Sequence, residues 1–153
     1  MTESVDLQHD VPSNDNLQRG YAMSGIGTWE LDLATRQLTW SGITRALFGI
    51  SASEPVSFAL FLSLLEPQDK ERTELAVQLC LETGCRFDIE YRIARPQGGH
   101  QWVRAKGGII VGNDGAPSHF SGVMLDIDDQ KRTEEALRLR EAHLRVNAPE
   151  KNG

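Results

Sequence analysis

The feature that most constrains the fold is a set of short segments in which apolar and polar residues alternate. In GIGTWELDL, residues 25–33, the side chains of Gly27, Trp29, Leu31 and Leu33 fall on one side of the chain and the polar ones on the other. Such alternation is typical of a β-strand with one buried face. We assign four further strands to residues 38–41, 86–93, 100–111 and 118–127.

Between the second and third predicted strands the pattern changes to short apolar pieces broken by Gly49 and Pro55, which favour short helices. Pro67 is expected to stop the last of these pieces, and Asp69 to cap a longer helix that ends at Gly84. The apolar stripe expected on this long helix consists of Leu75, Ala76, Leu79, Cys80 and Leu81.

Two further helices flank the predicted strands. A short one is expected in residues 15–24, with Leu17, Tyr21 and Ala22 on one face. After the last strand, DDQKRTEEALRLREAHLRVN begins with acidic residues and carries arginines towards its end, which complements a helix dipole. We call this second segment the exit helix.

The order of these elements predicts an α+β fold. It consists of a five-stranded antiparallel sheet with short helices on one face, an N-terminal helix and the C-terminal exit helix. At 153 residues the chain is long enough for one domain with a sizeable core. We divide it into a flexible tail (1–14), a folded domain (15–128), the exit helix (129–147) and a second tail (148–153).

The net charge and the cysteines of the chain limit its expected binding partners and cellular compartment. A formal net charge of -6 argues against binding to nucleic acid or to anionic membranes. The sequence has no run of about 18 apolar residues, as a membrane span requires, and its start does not resemble a signal peptide. The two cysteines, Cys80 and Cys85, lack CxxC spacing. We therefore expect a cytoplasmic protein with reduced thiols.

Catalytic and metal motifs are absent from the sequence. The GIG of residues 25–27 precedes a strand rather than a helix, no residue lies in a nucleophile elbow, and no spacing resembles a zinc site. Asp88 and Glu90 share a strand face with Arg92, which predicts cross-strand ion pairing on an exposed face. We expect no enzymatic activity. An α+β enzyme would need a paired acid and base in its pocket.

Five stretches in order carry a resemblance to a known family. They are GIGTWELDL with LTWS behind it, LFGI, EPQDKER, FDIEYRIARPQGGHQWV and GVMLDIDDQKRTEEAL. Over about residues 15–145 the chain resembles a PAS domain of the bacterial sensory-box type, close to the PAS fold-3 subtype. Two departures stand out. Glu66 replaces a histidine common before the long helix, and Asp128 replaces the threonine of the Asp-Ile-Thr exit motif, whereas Asp126 matches.

The resemblance implies a sensory or interaction module rather than an enzyme. PAS domains bind a small ligand or cofactor between the sheet and the helices, or pair with another PAS domain. The change then passes through the exit helix to an output such as a histidine kinase or diguanylate cyclase. For this chain it implies a homodimer through the N-terminal helix and the outer sheet face. It also implies an output domain or partner signalling protein, and a signal relay at Asp126 and Asp128.

The inward-facing apolar residues are candidates for a ligand pocket, with the Tyr91 hydroxyl as a polar contact. These candidates are Trp29, Phe48, Phe61, Phe87, Ile89, Tyr91, Val103 and Met124. Apolar periodicity does not distinguish a pocket from a filled core, so the alternative is a constitutive PAS interaction or dimerisation module without a ligand. Trp40 and Trp102 are placed on the outer sheet face, where they would support a dimer or pack against a flanking helix.

The identity of any cofactor stays open, but two groups are disfavoured. Cys85 lies in a CRF sequence similar to the flavin-reactive motif of LOV domains. In that family, however, the cysteine comes before the long helix and follows an asparagine, whereas Cys85 comes after the helix and follows Gly84. Haem-binding PAS domains use a histidine on the long helix, and residues 70–84 contain none. His100 and His119 are expected to be surface residues on neighbouring strands.

Overall fold

The computed structural model describes residues 14–147, which form five strands and five helices. The predicted tail 148–153, and all but the last residue of the tail 1–14, lie outside these residues. The strands are β1 (Gly27–Asp32), β2 (Leu38–Trp40), β3 (Phe87–Ala94), β4 (His100–Val111) and β5 (Pro117–Asp126). The helices are α1 (Asn14–Met23), α2 (Gly42–Phe48), α3 (Phe58–Ser63), α4 (Pro67–Thr83) and α5 (Asp128–Asn147).

The strands form one antiparallel sheet in the order β2-β1-β5-β4-β3. Because β2 and β3 are the two edges of this sheet, the helices α2, α3 and α4 connect one edge to the other. The predicted α+β fold is confirmed, and so is each predicted strand. None of the helices within residues 14–147 has the length and apolar character needed to cross a membrane.

The long helix α4 begins earlier than predicted. Pro67 occupies its first turn after Glu66, because a proline ring presets the helical φ and its missing N–H is not needed there. The prediction that Asp69 caps the helix is wrong, since Asp69 lies inside the first turn and is buried. Pro67 likewise does not stop α3, which ends at Ser63. Gly84 ends α4 with a φ of 72°, as predicted.

The buried face of α4 also differs from the predicted stripe. Leu75 is 57% exposed and Leu79 is 54% exposed. Cys80 is buried as predicted, and the helix also buries Asp69, Thr73 and Val77. Asp69 and Thr73 on the buried face are polar. The spacing of apolar residues alone therefore does not indicate which face of α4 is buried.

The inner face of the sheet carries a cluster of aromatic side chains. Trp40 is paired with Trp29 across β1 and β2, and its ring stacks on Phe48 at a centroid distance of 4.2 Å. The prediction that Trp40 lies on the outer face is therefore wrong. Alternation along the short strand β2 puts Trp40 on the same side as Leu38, which is also buried.

Two glycines let the Trp29 indole lie against the sheet. Gly107 of β4 pairs with Gly122 of β5, and a β-carbon on them would come within 2.8 Å and 2.6 Å of Cζ2 of Trp29. By contrast, nothing lies within 4 Å of the position that a β-carbon on Gly108 would take. The pairing of β4 with β5 shifts register between Ile110 and Val111.

Candidate functional site

The core contains a small apolar cavity between the inner sheet face and the helices α3 and α4. Its volume is about 40 Å³, which is room for a few water-sized molecules. Its lining consists of Trp29, Leu31, Leu38, Trp40, Phe58, Phe61, Val77, Phe87, Tyr91, Ala105, Phe120 and Met124.

The structure brings most of the predicted pocket residues to this cavity. Those that line it are Trp29, Phe61, Phe87, Tyr91 and Met124. The other three do not line it: Phe48 lies behind Trp40, Val103 is fully buried in the sheet, and Ile89 packs against the core from the edge. Leu31 and Phe120, which the sequence analysis left out, share a strand face with predicted residues. Alternation could have identified them.

Tyr91 supplies the phenolic hydroxyl of the cavity lining. Its side chain is 1% exposed, and it lies in the lining of the cavity. Burial raises the pKa of Tyr91 far above its ordinary value, so the phenol stays neutral. This hydroxyl is the group that a water or a small ligand would engage.

Neither haem nor flavin fits the residues around this cavity. Pockets for such groups measure about 300–1,000 Å³, whereas this one measures about 40 Å³. Helix α4 offers no histidine, and Cys85 does not belong to the lining. His100 and His119 do not approach each other, because they pair with Ala94 and Ile110 near opposite ends of β4. No cluster of three metal-ligating side chains occurs among the described residues.

A second candidate site is the junction between the sheet and α5. The Asp126 carboxylate accepts hydrogen bonds from Gln101 Nε2 at 2.6 Å and from the backbone N–H of Asp128 at 3.0 Å. The Asp128 carboxylate accepts the backbone N–H of Trp102 at 2.9 Å. Asp128 therefore binds β4 rather than capping its own helix, and the junction persists without the family's threonine. Helix α5 begins at Asp128, one residue before the predicted boundary.

Gln101 is a junction residue that the sequence analysis missed. It is buried on the same face of β4 as Val103, and its side-chain oxygen accepts a hydrogen bond from Arg95. Because its amide also donates to Asp126, it joins the β3–β4 turn to the start of α5. A glutamine at an inward position of an alternating strand is the signal that could have identified it.

On the outer face of the sheet, the Trp102 ring is in contact with two cations. The Lys131 ammonium of α5 is 4.6 Å from the ring centroid, and the Arg92 guanidinium of β3 is 5.3 Å from it. Lys131 also pairs with Glu90 at 2.6 Å, and this hydrogen bond raises the pKa of Lys131. The prediction that Trp102 lies on the outer face against a flanking helix is confirmed.

Arg92 connects this surface to α4. Its Nη2 donates to Asp69 Oδ1 at 2.7 Å, and its backbone N–H donates to Oδ2 at 2.8 Å. Burial alone would raise the pKa of Asp69, but these hydrogen bonds outweigh it and hold that pKa below its ordinary value. We call this continuous path from α4 to α5 the outer-face network: Asp69, Arg92, Trp102, Lys131 and Glu90.

The cross-strand pairing predicted for the exposed face is also present. Arg104 of β4 donates to both carboxylate oxygens of Asp88 on β3, at 2.8 and 2.7 Å. These hydrogen bonds lower the pKa of Asp88 and raise that of Arg104. The pair is exposed, so it stabilises the sheet much less than the buried Asp69–Arg92 pair does.

Comparison with known proteins gives the same fold. A family model described as PAS fold matches residues 37–124. Over 121 residues the chain is 49% identical to the sensor protein FixL of Bradyrhizobium diazoefficiens, covering 79% of this chain and 24% of that protein. It is 28% identical over 133 residues to a blue-light-activated histidine kinase of Brucella anthropi, covering 87% and 26%. The chain thus spans about a quarter of the length of these curated relatives.

Two solved structures of signalling proteins share this fold. A sensory box histidine kinase/response regulator from Burkholderia thailandensis superimposes with a TM-score of 0.68 at 24% identity, covering 85% of this chain and 98% of that one. The N-terminal domain of a diguanylate cyclase with PAS/PAC sensor from Marinobacter aquaeolei gives 0.62 at 20% identity, covering 69% and 98%. At these identities the likeness establishes the fold alone.

Proposed function

Because the chain belongs to the PAS fold family, we propose that it is a sensory module in signal transduction. A change in its core or in its dimer contacts passes through α5 to an output. The observation that carries this proposal is the outer-face network, which joins the core helix α4 to the exit helix α5 through two strands. A helix held by specific contacts to the sheet is an element whose position the sheet can bias.

The output belongs to a further domain or to a partner signalling protein. The sensor protein FixL and the blue-light-activated histidine kinase support a histidine kinase as that output, and the Marinobacter structure supports a diguanylate cyclase. The module itself supplies no catalysis in this proposal. Its cavity lining has one phenol and no paired acid and base.

The cavity limits what the module could sense directly. A volume of about 40 Å³ with an apolar lining suits an apolar molecule of a few non-hydrogen atoms. The same small volume favours a second candidate function, a constitutive PAS interaction module with a packed core. Native mass spectrometry and an absorption scan of the purified chain discriminate between the two. A retained molecule supports ligand sensing, whereas a colourless, ligand-free protein supports the interaction module.

We also propose a homodimer formed through α1 and the outer sheet face. Met23 of α1 is 88% exposed, and Ile110 and Val111 of β4 are exposed as well. Apolar side chains at these places become buried when two copies pair. Multi-angle light scattering is expected to give twice the chain mass of 17.0 kDa. A strict monomer at high protein concentration would contradict the dimer.

A further inference from the structure

The two cysteines of the chain lie side by side at the junction of α4 and β3. Cys80 Sγ is 3.1 Å from Cys85 Sγ, and both are free thiols. Gly84, with its positive φ, turns the chain back after α4, so that Cys85 comes to rest against the last helical turn. A disulfide has a sulfur–sulfur distance of about 2.0 Å, so a side-chain movement of roughly 1 Å would join the pair.

We propose that Cys80 and Cys85 form a reversible intramolecular disulfide, making the α4–β3 junction an oxidant-sensitive modification site. The contact between the two sulfur atoms carries this inference. It stands independently of the signalling function proposed above, because it rests only on the placement of the two thiols.

The two thiols differ in environment in the way that such a reaction requires. Cys85 is partly exposed, and hydrogen bonds with the side chains of Thr83 and Cys80 lower its pKa. Cys80 is 3% exposed, and burial raises its pKa to about 11. Since the thiolate is the reactive form of cysteine, Cys85 reacts first with an oxidant from solvent. Cys80 is then the resolving thiol.

The oxidant in this scheme is hydrogen peroxide. The Cys85 thiolate attacks one peroxide oxygen, the O–O bond breaks, and the departing hydroxide takes a proton to become water. Cys80 then loses its proton and attacks the sulfur of the resulting sulfenic acid. The S–O bond breaks, and a second water leaves. In total the two thiols lose two protons and two electrons, and the peroxide is reduced to two waters. A dithiol reductant reverses the reaction by exchange.

The position of the pair connects this chemistry to the core. Val77, one helical turn before Cys80, lines the cavity, and so does Phe87, the first residue of β3. A bond between Cys80 and Cys85 would therefore clamp the end of α4 to the start of β3 beside the cavity wall. Disulfides with a solvent-accessible sulfur are of the labile, regulatory kind, and Cys85 is partly exposed.

Intact-mass analysis of the full chain tests the proposal. The protein is treated with hydrogen peroxide, then unfolded and alkylated with N-ethylmaleimide. The expected product has lost the mass of two hydrogen atoms, takes up no maleimide, stays a single chain on a non-reducing gel, and takes up two maleimides after dithiothreitol. The proposal is overturned if the oxidised protein still takes up two maleimides, if it forms only disulfide-linked dimers, or if its cysteines are oxidised further without pairing.

Brief maleimide labelling of the folded wild-type protein, followed by peptide mapping, tests whether Cys85 is the first thiol to react and Cys80 the resolving one. Cys85 is expected to be labelled at least about ten times faster than Cys80, and equal labelling would contradict the assignment.

Cys80→Ser should leave a Cys85 sulfenic acid that reacts with dimedone, whereas Cys85→Ser should leave Cys80 largely unreactive. If Cys80→Ser fails to fold, the wild-type labelling still decides the question.

Discussion

At the scale of single residues, the Asp69 carboxylate is the clearest case of a buried charge with a defined task. It is 2% exposed and accepts hydrogen bonds from both the side chain and the backbone of Arg92. It therefore holds the edge strand β3 against α4. A buried carboxylate without these partners would be strongly destabilising.

The substitution Asp69→Asn is expected to lower the free energy of unfolding by about 2–3 kcal/mol, because it removes the charge that Arg92 neutralises. Asp88→Asn is the matched control, since Asp88 makes the same kind of double contact with Arg104 on the exposed face. It should cost less than about 1 kcal/mol. Urea unfolding followed by tryptophan fluorescence measures both. Equal losses would contradict the assigned difference in burial.

The ion pair of Asp69 with Arg92 predicts how the free energy of unfolding depends on pH. The pKa of Asp69 is lowered in the folded state from its ordinary value of 3.8. The stabilisation is therefore fully present above 3.8 and is lost as the pH falls through the folded-state pKa. The wild type should lose stability on acidification more steeply than Asp69→Asn. Parallel acid titrations of the two proteins would show that Asp69 makes no such contribution.

Removal of the Tyr91 hydroxyl, unlike substitution of Asp69, is not expected to lower the free energy of unfolding. Tyr91 is 1% exposed, and burial is what raises the pKa of its phenol, so Tyr91→Phe removes a desolvated polar group from the core. The free energy of unfolding should stay the same or rise by up to about 1 kcal/mol. A clear loss of stability in thermal melts would mean that the hydroxyl binds a water or ligand in the cavity.

Residues such as Asp69, Gln101 and Trp40 mark the limit of prediction from sequence at this scale. Asp69 and Gln101 act on partners 23 and 25 residues away, and local capping or alternation rules carry no information about such partners. Trp40 was misplaced because β2 is only three residues long, too short for a clear period. By contrast, Trp29, Phe87 and Tyr91 lie on longer alternating strands, and their inward positions could be predicted.

At the scale of elements, the packing of β4 on β5 depends on Gly107 and Gly122 beneath the Trp29 indole. Gly107→Val is expected to lower the free energy of unfolding by at least about 2 kcal/mol, because the new side chain must displace the indole or the neighbouring backbone. Gly108→Val is the control, since nothing lies within 4 Å of its β-carbon position. Thermal melts compare them, and a tolerated Gly107→Val would contradict the close packing.

The docking of α5 on the sheet is the second prediction at this scale. Lys131→Ala removes both the contact with Trp102 and the ion pair with Glu90. Amides in the first turn of α5 should then exchange at least about fivefold faster, as expected for a loss of about 1 kcal/mol. Arg138→Ala is the control, because Arg138 pairs with Glu135 on α5 itself. Unchanged exchange in Lys131→Ala, measured by mass spectrometry, would mean that Lys131 does not hold the helix.

Element types and order were predictable because strands and helices have different apolar periods, and glycines and prolines separate them. The strands β3 to β5 and helix α5 illustrate this. The start of α4 could not be predicted in this way. Pro67, two residues before Asp69, is compatible either with the end of the preceding helix or with the first turn of α4. The contact of Trp102 with Lys131 depends on how α5 leaves the sheet, which no local pattern encodes.

At the scale of the whole molecule, the chain combines a nearly filled core with a charged network running from α4 to α5. The core cavity measures about 40 Å³, and its lining does not fit haem or flavin. The core is therefore not shaped to hold a large cofactor. The architecture favours a module whose output depends on how α5 is held by β3 and β4. In the homodimer proposed above, the exposed apolar residues of α1 and β4 would be covered by a second copy.

In the proposed function, the contacts of α5 with the sheet control an output. The most direct test fuses the full chain in register through α5 to a reporter histidine kinase and measures autophosphorylation. Lys131→Ala is expected to change the rate by about fivefold or more, whereas Arg138→Ala leaves it unchanged. Equal rates for the wild type and Lys131→Ala, with both fusions folded and active, would contradict the claim.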